Sequence, residues 1–244
     1  MSSAAVSSGT EAALLDRINS VMGRIDTRTT DLRNSINDKL QWLPVGLQGR
    51  VVAGWNTFCG FMRRIWDNLH EIISNMGSPS ALWSTADAWS DWVGAPVSAQ
   101  VQSADAGLLD VDDNWDGDAA DAYRQTLPLQ KAALEKVKSA LTDGIAAALN
   151  DVAKGVLLFW TGLVTALAAL VLGIISALAS SATVVGLPAG PFIAAGAGLV
   201  AAGAIITGAE NLKSVGSSAN TTLRQKLADN SAFHEGHWPP AAKV

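Results

Sequence analysis

The chain has 244 residues, 49% hydrophobic and 16% charged, against about 25% charged in an average soluble domain. A net charge of −5 supplies no global basic field for nucleic acid, and the single cysteine, Cys59, excludes an intrachain disulfide and a cysteine metal cluster. The charge deficit is local: residues 155–209 contain no Asp, Glu, Lys, Arg or His, while residues 9–154 have ordinary composition.

Residues 1–10 are polar and small, without the basic and apolar regions of a secretory signal, so export would need another address. Residues 11–40 predict a helix. Leu15, Met22, Thr29 and Ile36 fall seven apart, Ile18, Ile25 and Leu32 form a second column, and charged residues surround this coiled-coil-like seam. Pro44, Gly46 and Gly49 break it. Residues 47–76 carry the clearest period: Val51, Trp55, Phe58, Met62, Ile65, Leu69, Ile72 and Met76 step by four and three with an apolar residue at each step. The two helices predict an antiparallel hairpin, residues 11–78, whose aromatic and Met side chains are core. The seam of Trp55, Phe58, Met62, Ile65 and Leu69 is expected to pack on that of Leu15, Ile18, Met22, Ile25 and Leu32.

Ser78 and Pro79 suit the cap and first turn of a third helix, running to about residue 109 through Trp83, Ala86, Trp89, Val93, Val97 and Val101. Gly94 and Pro96 predict a kink or short break in it. A fourth helix starts near Asp118 and passes Tyr123, Leu127, Leu134, Val137, Leu141, Ile145 and Leu149. Pro128 should kink its early part, and its end should run into the uncharged stretch.

Residues 153–209 predict a hydrophobic hairpin. Its first helix, 155–178, would be about 36 Å long and its second, 191–209, about 28 Å, against a hydrocarbon core of about 30 Å. Gly186, Pro188, Gly190 and Pro191 mark the reversal. Ala194, Gly198 and Ala202, four apart, form a small-residue face that lets helices approach closely in lipid. Residues 210–244 are a polar tail with a short helix near 212–227 and an exposed end at Pro239-Pro240. No βαβ alternation or strand-like run is present, so the fold class is all-α.

Trp115-Asp116-Gly117 lies between the third and fourth helices. Gly117 allows the positive φ of a hairpin tip, Trp115 can close its end, and Asp116 and Asp118 suit capping and the helix dipole. The segment Asn114-Trp115-Asp116-Gly117-Asp118-Ala119-Ala120-Asp121-Ala122-Tyr123 resembles the WXG100 proteins, the small substrates of type VII (ESX) secretion. The resemblance covers about residues 79–152. It implies a helix-turn-helix with Trp115 and Gly117 at the turn, a secretion or partner surface around Tyr123, and a protein partner or self-association. Leu127 stands where the Tyr-x-x-x-Asp/Glu export signal of many such proteins would place its acid.

Asp112 to Gly117 matches the first half of a calcium-binding EF-hand loop, but Tyr123 holds the twelfth position in place of a bidentate Glu. His234 and His237 offer two zinc ligands without a third. No metal, cofactor or catalytic constellation is therefore assigned, and no enzyme activity is expected. The expected protein is secretion-associated, with a partner-binding half and a membrane-inserting half. The first hairpin would serve the WXG-like hairpin as a built-in partner, giving a four-helix bundle in one chain. The alternatives are a non-exported integral membrane scaffold or adaptor, with Lys154, Lys213, Arg224 and Lys226 holding both soluble arms on the cytoplasmic side, and a soluble helical protein with a sequestered hydrophobic hairpin.

Overall fold

The computed structural model describes residues 3–75, 77–104, 115–228, 231–233 and 237–239. The protein is all-α. Helix α1 spans Ser3–Leu40 and α2 Val45–Asn75. Helix α3, Pro79–Trp89, passes through a π turn, Ser90–Gly94, into α4, Ala95–Ser103. Helix α5, Asp118–Lys136, passes through a second π turn, Val137–Thr142, into α6, Asp143–Ser180, and α7 spans Gly190–Ala228. A π turn stands where the sequence predicts a kink or short break at Gly94 and Pro96; the backbone stays helical through it, and Pro96 lies in the first turn of α4. Pro128 stays inside α5, and the Thr126 hydroxyl beside it donates to the Tyr123 carbonyl at 2.8 Å. The helix predicted near 212–227 is the continuation of α7.

The chain forms two compact units. Unit 1 is residues 1–79 with 155–214, and unit 2 is residues 80–154 with 215–244. Unit 1 thus joins α1 and α2 to the uncharged hairpin. The grouping expected from sequence paired the first hairpin with residues 79–152 instead. The physical reason is apolar area: an uncharged helix pair has far more surface to remove from water than the alanine-rich segment 118–152.

Close contacts set the directions of the four unit 1 helices. A side chain added at Gly54 of α2 would meet Pro191 and Phe192 at the start of α7, and one at Gly198 would meet Phe58 and Phe61 of α2. These pairs ascend together, so α2 and α7 run parallel. In the α6–α7 pair, Gly173 opposes Ala197 and Phe159 opposes Gly208, an antiparallel register. The Ser35 hydroxyl of α1 donates to the Ser181 carbonyl at the end of α6, at 3.1 Å. Ile18, Val21, Ile25, Leu32 and Ile36 are buried on α1; Leu15, Met22 and Thr29 are half-buried. Val21 thus replaces the expected column of Leu15 and Met22, because the buried face follows the 3.6-residue turn rather than a strict heptad.

In unit 2 the two π turns lie against each other: the Cβ position of Gly94 is 3.5 Å from the Thr142 hydroxyl. Thr142 is fully buried, and its hydroxyl donates to the Lys138 carbonyl at 2.6 Å. The last part of α7 lies on the second π turn, where the Lys226 ammonium donates to the Ser139 carbonyl at 3.3 Å. Near the C-terminus Pro239 is buried, where the sequence reading placed an exposed tail, and the rings of Phe233 and Trp238 lie 6.4 Å apart.

Candidate functional site

Two places carry the sequence-predicted residues. The first is the start of α5. Gly117 caps it at φ 102° and ψ 178°, a conformation open essentially to glycine alone. No neighbouring atom crowds the Cβ position there, so backbone strain is what selects glycine. The Asp121 amide donates to the Gly117 carbonyl at 3.1 Å and starts the helix. The side-chain caps expected from Asp116 and Asp118 are replaced by this glycine cap, which has no side-chain hydrogen bond. Asp118 and Asp121 instead lie in the first turn, where the helix dipole favours negative charge.

Trp115 is 42% exposed. Its ring lies 5.8 Å from that of the half-buried Tyr123, tilted by 42°. Arg124, which the sequence reading did not single out, holds this pair: its guanidinium donates to the Trp115 carbonyl at 3.1 Å and to Asp121 at 2.9 Å. The available signal was the i,i+3 spacing of Asp121 and Arg124. Asp112, Asp113 and Asn114 of the EF-hand-like half-loop lie outside the described residues, as do Met76, His234, Glu235, Gly236 and Pro240. Among the described residues no three metal-ligating side chains come together.

The second place is the uncharged hairpin of unit 1. Within α2, Phe58, Met62, Ile65 and Leu69 are buried as a continuous stripe, and half-buried Trp55 stacks at 5.5 Å on Phe58. Ala194, Gly198 and Ala202 are buried on α7. Gly198 meets Phe58 and Phe61 of α2, so at Gly198 the small-residue face receives aromatic rings, while α6 and α7 meet each other through Gly173 and Ala197. The turn at 181–189 is tight. A side chain at Gly190 would collide with the Ser181 hydroxyl and with the Ala177 carbonyl.

Both α7 and the continuous helical stretch from Asp118 to Ser180 are long and apolar enough to cross a membrane, and of their most apolar windows 33% and 44% respectively are buried. The uncovered remainder is uncharged and carries large apolar side chains. Leu158 and Leu172 of α6, and Leu199, Val200 and Ile206 of α7, are exposed. Hydroxyls on the exposed face of α6 are satisfied within the helix: Thr161, Thr165 and Ser176 donate to the carbonyls four residues before them, at 2.9, 3.0 and 2.9 Å. Such a surface offers water few partners, and these three hydroxyls would enter hydrocarbon already bonded. No family model, curated protein or solved structure matches the chain.

Proposed function

We propose that this chain is a type VII secretion-associated, WXG100-like helical protein without catalytic activity, one half of which binds a protein partner while the uncharged hairpin enters a membrane. The observation that carries the membrane role is the two-sided state of that hairpin. One side is packed within unit 1, and the other presents Leu158, Leu172, Leu199 and Val200 outward. In lipid the exposed side loses nothing, since lipid tails are as apolar as leucine. The partner role rests on the Trp115–Gly117 turn and on Trp92, which is 82% exposed and gives an aromatic anchor of the kind that dominates interfaces.

The cover formed by α1 and α2 also favours the reading in which the hairpin is sequestered in a soluble state. The two readings join in one sequence of events: the protein travels with the hairpin half-covered and exchanges the cover for lipid on arrival. Fractionation of producing cells into cytosol, membrane and medium tests this, with carbonate extraction of the membrane fraction. Export together with a carbonate-resistant pool supports the proposal. A carbonate-resistant pool without export supports the membrane scaffold. A cytosolic, monodisperse protein that never reaches membrane or medium defeats the proposal.

A further inference from the structure

The helix directions within unit 1 bring two chain reversals to one end. Ser35, near the end of α1, bonds to Ser181, and Gly54, near the start of α2, meets Pro191 and Phe192 at the start of α7. The α1–α2 turn and the 181–189 turn therefore share an end of the four-helix body. Both are uncharged, over residues 40–49 and 180–193. Both expose large apolar side chains: Trp42 (70%) and Val45 (83%) on one, Val185 (93%) and Phe192 (50%) on the other.

We infer that this end is a lipid-docking tip, which meets the bilayer first and leads the hairpin in. The inference rests on the membrane role proposed above and adds its direction. A lipid surface is the occupant that fits. The tip is uncharged, exposes large apolar side chains and continues directly into the two helices able to span a membrane. It ends in an exposed tryptophan, the residue enriched at membrane–water interfaces. Part of its backbone is already bonded within the turns, which eases entry into hydrocarbon. In the 181–189 turn the Leu187 amide donates to the Thr183 carbonyl at 3.0 Å, the Gly186 amide to the Thr183 hydroxyl at 3.1 Å, and the Ser180 hydroxyl to the Gly186 carbonyl at 3.0 Å. In the α1–α2 turn the Trp42 amide donates to the Lys39 carbonyl at 3.0 Å and the Gln48 side-chain amide to the Leu43 carbonyl at 2.8 Å. Tip-first entry draws residues 155–209 into lipid without moving a charge through it.

The test is flotation of the full-length protein with phosphatidylcholine/phosphatidylglycerol vesicles. The parent should float. Trp42→Asp and Val185→Asp, both at exposed positions, should each weaken partition by about tenfold or more, since a carboxylate is strongly disfavoured in the bilayer. Ile73→Asp, toward the other end of α2, should float like the parent. If the two tip variants float like the parent, the tip is overturned while the membrane role stands. If the parent itself stays with the aqueous phase, both fall. An environment-sensitive dye at Val185→Cys in a Cys59→Ser background gives a readout independent of the charge variants. Its emission should shift to the blue on vesicles while a dye at Ile73→Cys does not, and equal behaviour of the two labels overturns the tip.

Discussion

The two units are built from the same element and differ in what they bury. The largest fully buried side chains, among them Phe58, Ile25, Leu32, Leu167 and Ile174, all belong to unit 1. Unit 2 encloses Ala86, Ala120, Ala133, Ala140, Thr126 and Thr142, with Leu127 as its one large buried side chain among the described residues. Small residues let helices approach but remove little apolar area from water, at about 25 cal/mol per Å². The large side chains of unit 2 sit elsewhere. Trp83, Trp89, Leu134 and Leu141 are half-buried, and Trp92 and Leu129 are exposed. The contrast lies in the core: unit 1 encloses large side chains, whereas unit 2 encloses mostly small ones and so removes less apolar area from water. A thermal melt followed by far-UV circular dichroism should show unit 2 giving way first, and added partner should raise that transition alone.

The largest expected effect is a charge in the core of unit 1. Met62 is 8% exposed on the α2 stripe. Met62→Asp removes its packing and buries an unpaired carboxylate, which together should cost about 3–5 kcal/mol. The upper thermal transition should move down or disappear while the unit 2 transition stays. Loss of both in step would show that the two units do not unfold separately.

Next comes overpacking of the α2–α7 contact. A Cβ at Gly198 stands 3.0 Å from the Phe61 Cβ. Gly198→Leu must therefore part the helices, at about 1–3 kcal/mol. Gly196→Leu, where no atom lies within 4 Å of the Cβ position, is the matched control on the same helix and should melt like the parent. Equal melting of both variants would mean that Gly198 is not a contact point in solution.

What the sequence made legible follows physical lines. The α2 stripe was readable because each four–three step is apolar, and burial of Phe58, Met62, Ile65 and Leu69 matches it. The freedom required at Gly117 was readable because the Gly stands two residues after Trp115, between two helical stretches, and its φ of 102° agrees. The partner of the first hairpin was not readable. An apolar stripe specifies that it is covered, not by which helix, and the steps that decide it are local fits such as Gly54 under Phe192. Gly94 and Pro96 marked the place of the first π turn, but the second, Val137–Thr142, holds no Gly or Pro and is too short for its phase shift to stand out. The spacing of Asp121 and Arg124 is a weak signal, because an arginine on a helix face is usually a solvated charge.

The start of α5 should give smaller effects than the core of unit 1. Gly117→Val meets no steric obstacle, so its cost is the backbone alone, about 1–3 kcal/mol, on the lower transition. Trp115→Ala should cost less, about 1 kcal/mol, because the ring is 42% exposed and its main partner is Tyr123. The same substitution should weaken partner binding more than it weakens folding. A binding constant by calorimetry that tracks the melting shift one for one would reduce Trp115 to a structural residue.

The smallest effect concerns Cys59, and it reports on the cover of the hairpin. Partial burial on α2 pushes this thiol above its usual range, while the guanidinium groups of Arg63 and Arg33 pull it back. A thiol raised in the folded state contributes stability that is intact below the unfolded pKa and is lost as pH rises through the folded value. Near neutral pH the thiolate is therefore scarce, and alkylation in the folded protein should be slower than in urea at the same pH. Arg63→Gln removes one of the two lowering charges and should slow it further, and added salt should act in the same direction by screening both. On vesicles, exchange of the α1–α2 cover for lipid would free Cys59 from its packing and speed the reaction. Alkylation on vesicles at the aqueous rate would mean that the cover stays in place when the protein reaches the membrane.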